Sequence, residues 1–142
     1  MQPDIFRFMK NLLKIMAFAP AVLLGFCAAL PAQDFDAFTP IAKYIRLGDA
    51  DKLSAWFADN LEITIFTVTN DSSRSQARQI LKTFFNSYTP QSFSLTHKAG
   101  RSNMKYALGS LSAGGEIFIV TIFVSYKETS YKIQQIKIEK IQ

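Results

Sequence analysis

The amino-acid sequence predicts an α+β domain in which helices come first and an antiparallel sheet follows. Apolar residues recur at the three-and-four spacing of a helix face in two stretches, 38–45 and 77–88. Residues 92–141 are strand-like segments rich in β-branched and aromatic residues, which short polar turns separate. A strongly twisted sheet that wraps around three helices would bury both patterns.

The first two helices follow from this periodicity and from stop and cap signals. Gly48 is a helix stop, and Asp49 can cap a second, short helix that carries Leu53, Trp56 and Phe57. The apolar face of the first helix consists of Phe38, Ile41, Ala42 and Ile45.

A strand and the third helix come next. LEITIFTVT, residues 61–69, is rich in β-branched residues, which predicts a strand. It is followed by NDSS, residues 70–73, which is typical of a turn. Ser73 and Gln76 have the spacing of a capping box, ahead of an amphipathic helix that stops before Thr89-Pro90. Its apolar face consists of Ala77, Ile80, Leu81, Phe84, Phe85 and Tyr88.

The rest of the chain predicts four strands, SFSLTHKA, NMKYALGSL, GEIFIVTIFVSY and YKIQQIKIEKI. The turns GRSN, SAGG and KETS are short enough to join neighbouring antiparallel strands as hairpins. Ile133 and Ile136 are three residues apart, so their side chains would point to opposite faces of a regular strand. We therefore expect a bulge at Gln134-Gln135.

The segment IFIVTIFV, residues 117–124, is apolar on both faces, and the helices can cover only one of them. An exposed apolar face is typical of a partner surface. The sequence therefore favours a homodimer through the sheet, with cover by a curved neighbouring segment as the alternative.

Residues 1–32 have the three-part layout of a secretory signal peptide. Arg7, Lys10 and Lys14 precede an almost uncharged run, IMAFAPAVLLGFCAALPA, which closes in small residues. This run is shorter than the roughly 20 apolar residues of a spanning helix. We therefore expect cleavage after Ala32 and a periplasmic or secreted protein, which contacts a membrane only through the uncleaved signal.

Cys27 leaves a second processing route open, in which a lipid is attached to this cysteine. Cleavage is favoured because bulky Phe26 precedes it, where lipoprotein signals carry a small residue. Residues 33–142 would then form a single domain without cysteine, whose core must stabilise it without disulfides.

The charge of this domain is modest. Without residues 1–32 it has 13 Lys and Arg against 10 Asp and Glu, with the excess in residues 98–142. Because the lysines are dispersed, they indicate a solvated strand face. Together with export, this dispersion argues against a nucleic-acid partner.

The stretch SRSQARQILKTFFNSYTPQSFSLTHKAG and the segments YALGSL and YKIQQIKIEK resemble an exported bacterial family, domain-of-unknown-function family 4783, over roughly residues 40–140. The element order also resembles the cone-shaped fold of nuclear transport factor 2, ketosteroid isomerase and SnoaL-like cyclases. The resemblance implies three N-terminal helices packed on a strongly curved antiparallel sheet, and an exported location. It implies no activity.

The candidate catalytic residues are His97, Tyr106 and Glu139. Strand alternation puts the only histidine, His97, on one face with Phe93 and Leu95, which we expect to turn toward the helices. Tyr106 on the next strand is its expected hydrogen-bond partner. A structural role for His97 is favoured, since a single general base without other catalytic groups gives little catalysis.

The sequence contains no Gly-rich phosphate loop, nucleophile elbow or histidine-rich metal motif, so we expect neither a cofactor nor a metal site. The favoured function is a small, non-catalytic exported domain that binds an apolar small ligand or an envelope protein. The alternative is an enzyme of ketosteroid isomerase or dehydratase type that uses His97 and Tyr106 in the cone cavity. Candidate pocket residues are Trp56, Phe57, Phe84, Phe93, Leu95, His97 and Tyr106.

Overall fold

The structure, a computed structural model, describes residues 36–141; the predicted signal peptide and Cys27 lie outside this range. Helix α1 (Phe38–Leu47) buries Phe38, Ile41 and Ile45, as their spacing predicts. Gly48 ends it with a φ of 66°, in the left-handed region that glycine adopts without steric cost.

The Asp49 carboxylate accepts a hydrogen bond from the Lys52 N–H at 3.0 Å and caps the short helix α2 (Ala50–Leu53), as predicted. A 3-10 turn, Ser54–Trp56, leads from α2 into the first strand.

The next segment is a hairpin of two strands, β1 (Phe57–Ile65) and β2 (Val68–Ser73), where the sequence predicted one strand and a turn. NDSS is not a turn: it lies in β2, and the chain reverses earlier, at residues 66–67. Polar residues are tolerated there because β2 is an edge strand whose side chains are mostly exposed. Phe57 likewise begins β1 instead of extending the second helix.

Helix α3 (Arg74–Ser87) is the longest helix in the described part of the chain. Its capping box is formed as predicted, with Ser73 and Gln76 each accepting from the other's backbone N–H. The helix packs on β1 and β2 and buries Ala77, Leu81, Phe84 and Phe85. No helix within residues 36–141 combines the length and the hydropathy that crossing a membrane requires.

The last four strands are β3 (Pro90–Arg101), β4 (Met104–Ala113), β5 (Glu116–Lys127) and β6 (Ser130–Lys140). Each pairs antiparallel with the next through a two-residue turn, which confirms the predicted hairpins. The predicted bulge in β6 is present, since Phe123 pairs with Gln135 while Val124 pairs with Ile133, which leaves Gln134 as the extra residue.

The six strands form one open sheet in the order β2-β1-β6-β5-β4-β3. The sheet is mixed instead of antiparallel throughout, because β1 pairs parallel with β6. The strong curvature stays a prediction. The helices cover one face, where Phe118, Val120, Ile122 and Val124 of β5 are buried, and no helix within residues 36–141 covers the other, which is called the helix-free face below.

Candidate functional site

A groove of about 390 Å³ runs between α3 and the β1-β2 hairpin. One wall is the surface of α3, and the other is the helix-facing side of the hairpin at the edge of the sheet. Six of its lining residues are apolar or aromatic, namely Ile65, Phe66, Val68, Ile80, Phe84 and Tyr88. Its volume lies at the lower end of the range of small-molecule sites.

The groove is built around a cluster of four aromatic rings. Phe118 of β5 is completely buried, and its ring centroid lies 5.3 Å from that of Phe84 and 5.1 Å from that of Tyr88. Phe66 stacks over Phe118 at 6.0 Å. These separations lie in the range of favourable aromatic contacts, so the cluster fixes the ring positions along the groove.

Phe66 holds an unusual backbone conformation at the tip of the hairpin. Its φ is 58°, which is rare for a bulky side chain and costs on the order of 1–3 kcal/mol. Its N–H donates to the Ile138 carbonyl at 2.8 Å, and its ring contacts three other rings, which together offset this cost. Phe66 also lines the groove, so the strained residue forms part of its wall.

The polar lining of the groove is uncharged. Gln79, Thr83 and Ser87 follow one another at four-residue spacing along α3, beside the apolar row of Ile80, Phe84 and Tyr88. Asn70 of β2 faces them across the groove. The site therefore joins an apolar surface to a neutral hydrogen-bonding margin.

The space between the helices and the sheet, where an enclosed site would lie, is filled. A cavity of about 10 Å³ lies there among the described residues, barely enough for one water molecule. Its lining is entirely apolar: Ile45, Leu53, Leu81, Phe85, Val120, Ile136 and Ile138. This cavity has neither the volume for a substrate nor a polar group for acid-base chemistry.

The expectation that His97 faces the helices is wrong. The register of β3 shifts between Leu95, which pairs with Gly109, and His97, which pairs with Leu108. The extra residue reverses the alternation of side chains. Phe93 is buried and Leu95 half-buried, whereas His97 is exposed.

The other two candidate catalytic residues also lie on the helix-free face. Tyr106 is half-buried beside His97, with ring centroids 5.8 Å apart. Glu139 pairs with Lys137 at 2.9 Å. The strand position level with Tyr106 is Gln135, four residues from Glu139, or roughly 13 Å at the rise of a strand. The structure brings His97 and Tyr106 together and leaves Glu139 apart from them.

Of the predicted pocket residues, only Phe84 lines the groove. Phe57 and Phe93 are buried in the core, and Trp56 and Leu95 pack against it. Sequence reasoning placed Ile80 and Tyr88 on the helix face, and their four-residue spacing with Phe84 was the signal for a shared row. Phe66 and Val68 were missed because the sequence places both in one continuous strand, whereas the chain reverses at residues 66–67.

A second depression, of about 520 Å³, is polar and lies near the start of α3. Arg74 there pairs with Asp59 at 2.9 Å, and the Lys132 ammonium donates to the Ala55 carbonyl at 3.0 Å. Within residues 36–141, no three His, Cys, Asp or Glu side chains lie close enough together to hold a metal ion.

Three helices on one face of a six-stranded mixed sheet place the described residues in the nuclear transport factor 2-like class of α+β folds. Residues 38–139 match the model of a family described as "Domain of unknown function (DUF4783)". The chain belongs to this family. Comparison with curated proteins gives no match.

Solved structures agree with this assignment. A DUF4783 family protein from Bacteroides uniformis has a TM-score of 0.73 at 20% identity, over 75% of this chain and 99% of that one. Another, from Bacteroides ovatus, has a TM-score of 0.71 at 22% identity, over 78% and 98%. An NTF-2 like protein of unknown function from Silicibacter pomeroyi has a TM-score of 0.55 at 13% identity, over 74% and 93%. Identities this low show the fold alone.

Proposed function

We propose that this protein is an exported, non-catalytic binding module that takes a small apolar ligand in the groove between α3 and the hairpin. The observation that carries the proposal is the groove itself, with six apolar or aromatic residues around about 390 Å³. Apolar surface of this kind gains free energy when a ligand displaces water from it. Export is the part of the proposal that rests on residues 1–32.

The residues that line the groove, and the position of His97 and Tyr106, favour binding over catalysis. The lining of the groove has no carboxylate, histidine or lysine to act as a general base, and the phenol of Tyr88 has no such partner there. His97 and Tyr106 lie on the other face of the sheet, away from this groove and from the filled interior. A small ligand is favoured over an envelope protein because the volume suits one compact molecule.

Titration with N-phenyl-1-naphthylamine, an uncharged probe that fluoresces in apolar surroundings, tests the proposal. We expect saturable binding to the purified protein and at least about a tenfold loss of affinity in Val68→Asp. Val68 is 61% exposed, so the carboxylate leaves the core intact and places an unpaired charge against the bound ring.

Leu47→Asp is the matched control, because Leu47 is 63% exposed on α1 and does not line the groove. We expect this variant to bind the probe like the unmodified protein. The proposal is wrong if the unmodified protein shows no saturable binding, or if both variants bind equally well.

We also propose that the protein forms a homodimer through the helix-free face of the sheet. Met104, Ile117 and Ile119 are exposed on this face, and Tyr106 and Phe123 are half-buried beside them with ring centroids 5.5 Å apart. Exposed apolar side chains of this kind are typical of an interface, and a two-fold axis would cover them with the identical face of a second copy.

Ile119→Lys is expected to convert this dimer to a monomer, as measured by light scattering coupled to size exclusion. Ile119 pairs across the strands with Glu139, so a lysine gains an ionic neighbour and the fold is retained. Leu47→Lys, on α1, should remain a dimer. A monomeric unmodified protein, or a dimer that survives Ile119→Lys, would contradict the proposal.

A further inference from the structure

The hydrogen-bonding margin of the groove indicates which small ligands it selects. Gln79, Thr83 and Ser87 line the groove from α3, and Asn70 lines it from β2. Amide and hydroxyl groups each carry both a donor and an acceptor. Among residues 36–141, no side-chain hydrogen bond engages the Gln79 amide or the hydroxyls of Thr83 and Ser87. These groups are therefore available to a ligand.

The charged residues of α3 lie on a different row of the helix. Arg78 and Lys82 are one residue before Gln79 and Thr83, and both point to Asp51 on α2, at 3.8 Å and 3.6 Å. None of the three charged groups lines the groove. The helix thus keeps Arg78 and Lys82 on the side of α2 and presents uncharged polar groups to the groove.

We propose that the ligand is an uncharged amphiphile, which is an apolar body with one neutral hydrogen-bonding group, such as a hydroxyl, carbonyl or amide. This inference rests on the proposed function, because it specifies the ligand of the same groove. An ionic head group would lose hydration beside the apolar rings without meeting a counter-charge. A neutral head group exchanges its water for the amide and hydroxyls of the margin at little cost.

Three probes with one ring system and different head groups test this inference: 2-naphthalenemethanol, 2-naphthoate and (2-naphthylmethyl)ammonium. We expect the purified protein to bind the alcohol about tenfold more tightly than either ion. The side-chain amide resonances of Asn70 and Gln79 should shift in nitrogen–proton spectra when the alcohol binds. This second readout locates the head group at the margin of the groove.

The outcomes separate this inference from the proposal on which it rests. The inference is wrong if either ion binds as tightly as the alcohol, or if none of the three naphthalene probes binds while N-phenyl-1-naphthylamine does. In both cases the proposal that the groove binds an apolar ligand is retained. If none of the four probes binds, both are wrong.

A charge placed on the margin should reverse the preference. Thr83 is exposed, so Thr83→Lys keeps the fold and supplies the counter-charge that the groove lacks. We expect 2-naphthoate to bind this variant at least about tenfold more tightly than it binds the unmodified protein. Asn86→Lys adds the same charge at an exposed position of α3 outside the groove and should leave the preference unchanged. Equal effects of both lysines would overturn the inference.

Discussion

Replacing Phe118 by alanine is expected to lower the free energy of unfolding by about 3–5 kcal/mol, the range measured for buried phenylalanines. Phe118 is completely buried and supports three rings at once, those of Phe66, Phe84 and Tyr88. Its loss leaves a cavity that the strands and α3 cannot fill without moving. Urea unfolding, followed by circular dichroism, measures the change.

Leu47→Ala is the matched control, because Leu47 on α1 is 63% exposed and lies outside both the ring cluster and the proposed dimer interface. We expect a loss of less than about 1 kcal/mol in this variant. The Phe118→Ala protein should also bind N-phenyl-1-naphthylamine more weakly, since the support of Phe66 is gone. Equal stability losses in the two variants would show that the ring cluster does not stabilise the fold as inferred.

The elements that the sequence predicted well are those with a local physical signal. The capping box at Ser73 and Gln76, the Gly48 stop and the Asp49 cap each depend on residues within one helical turn of one another. The bulge in β6 was visible because its apolar residues change phase within the strand itself. These features do not require knowledge of any distant partner.

The elements that were missed depend on tertiary context. Polar residues of an edge strand look like a turn when only the local sequence is considered, so β2 was not recognised. The parallel pairing of β1 with β6 joins residues 57–65 with residues 133–138, and no local pattern specifies it. The bulge beside Thr96 could not be predicted, because no large apolar residues follow it in β3 to show a change of phase. The bulge turns His97 to the face opposite to the one expected.

The groove was only half predictable for the same reason. The row of Ile80, Phe84 and Tyr88 follows from the period of α3, and the structure puts it in one wall. The opposite wall depends on Phe66, whose left-handed backbone is unfavourable for its residue type. Local propensity argues against such a conformation, which is stabilised by the hydrogen bond to the Ile138 carbonyl and by the packing of the Phe66 ring against three other rings.

Replacing Gly109 by alanine is expected to lower the free energy of unfolding by about 1–3 kcal/mol, the cost of overpacking a well-packed core. Gly109 lies on the helix-facing side of β4, and a Cβ atom there would lie 2.4 Å and 2.5 Å from two atoms of the Phe93 ring. The Ser94 carbonyl oxygen would be 3.1 Å away. Because Phe93 is buried, its ring cannot move aside without displacing its neighbours.

The double variant Gly109→Ala/Phe93→Leu tests whether this contact is the cause of the loss. Leucine lacks the ring atoms that meet the new methyl group, so we expect the Gly109→Ala substitution to cost less in the Phe93→Leu background than alone, a coupling of about 1 kcal/mol. Ser110→Ala, on the opposite face of β4, should change stability by less than about 0.5 kcal/mol. Urea unfolding of the four variants and the unmodified protein gives these differences. If Gly109→Ala costs the same in both backgrounds, the ring of Phe93 is not what requires glycine at this position.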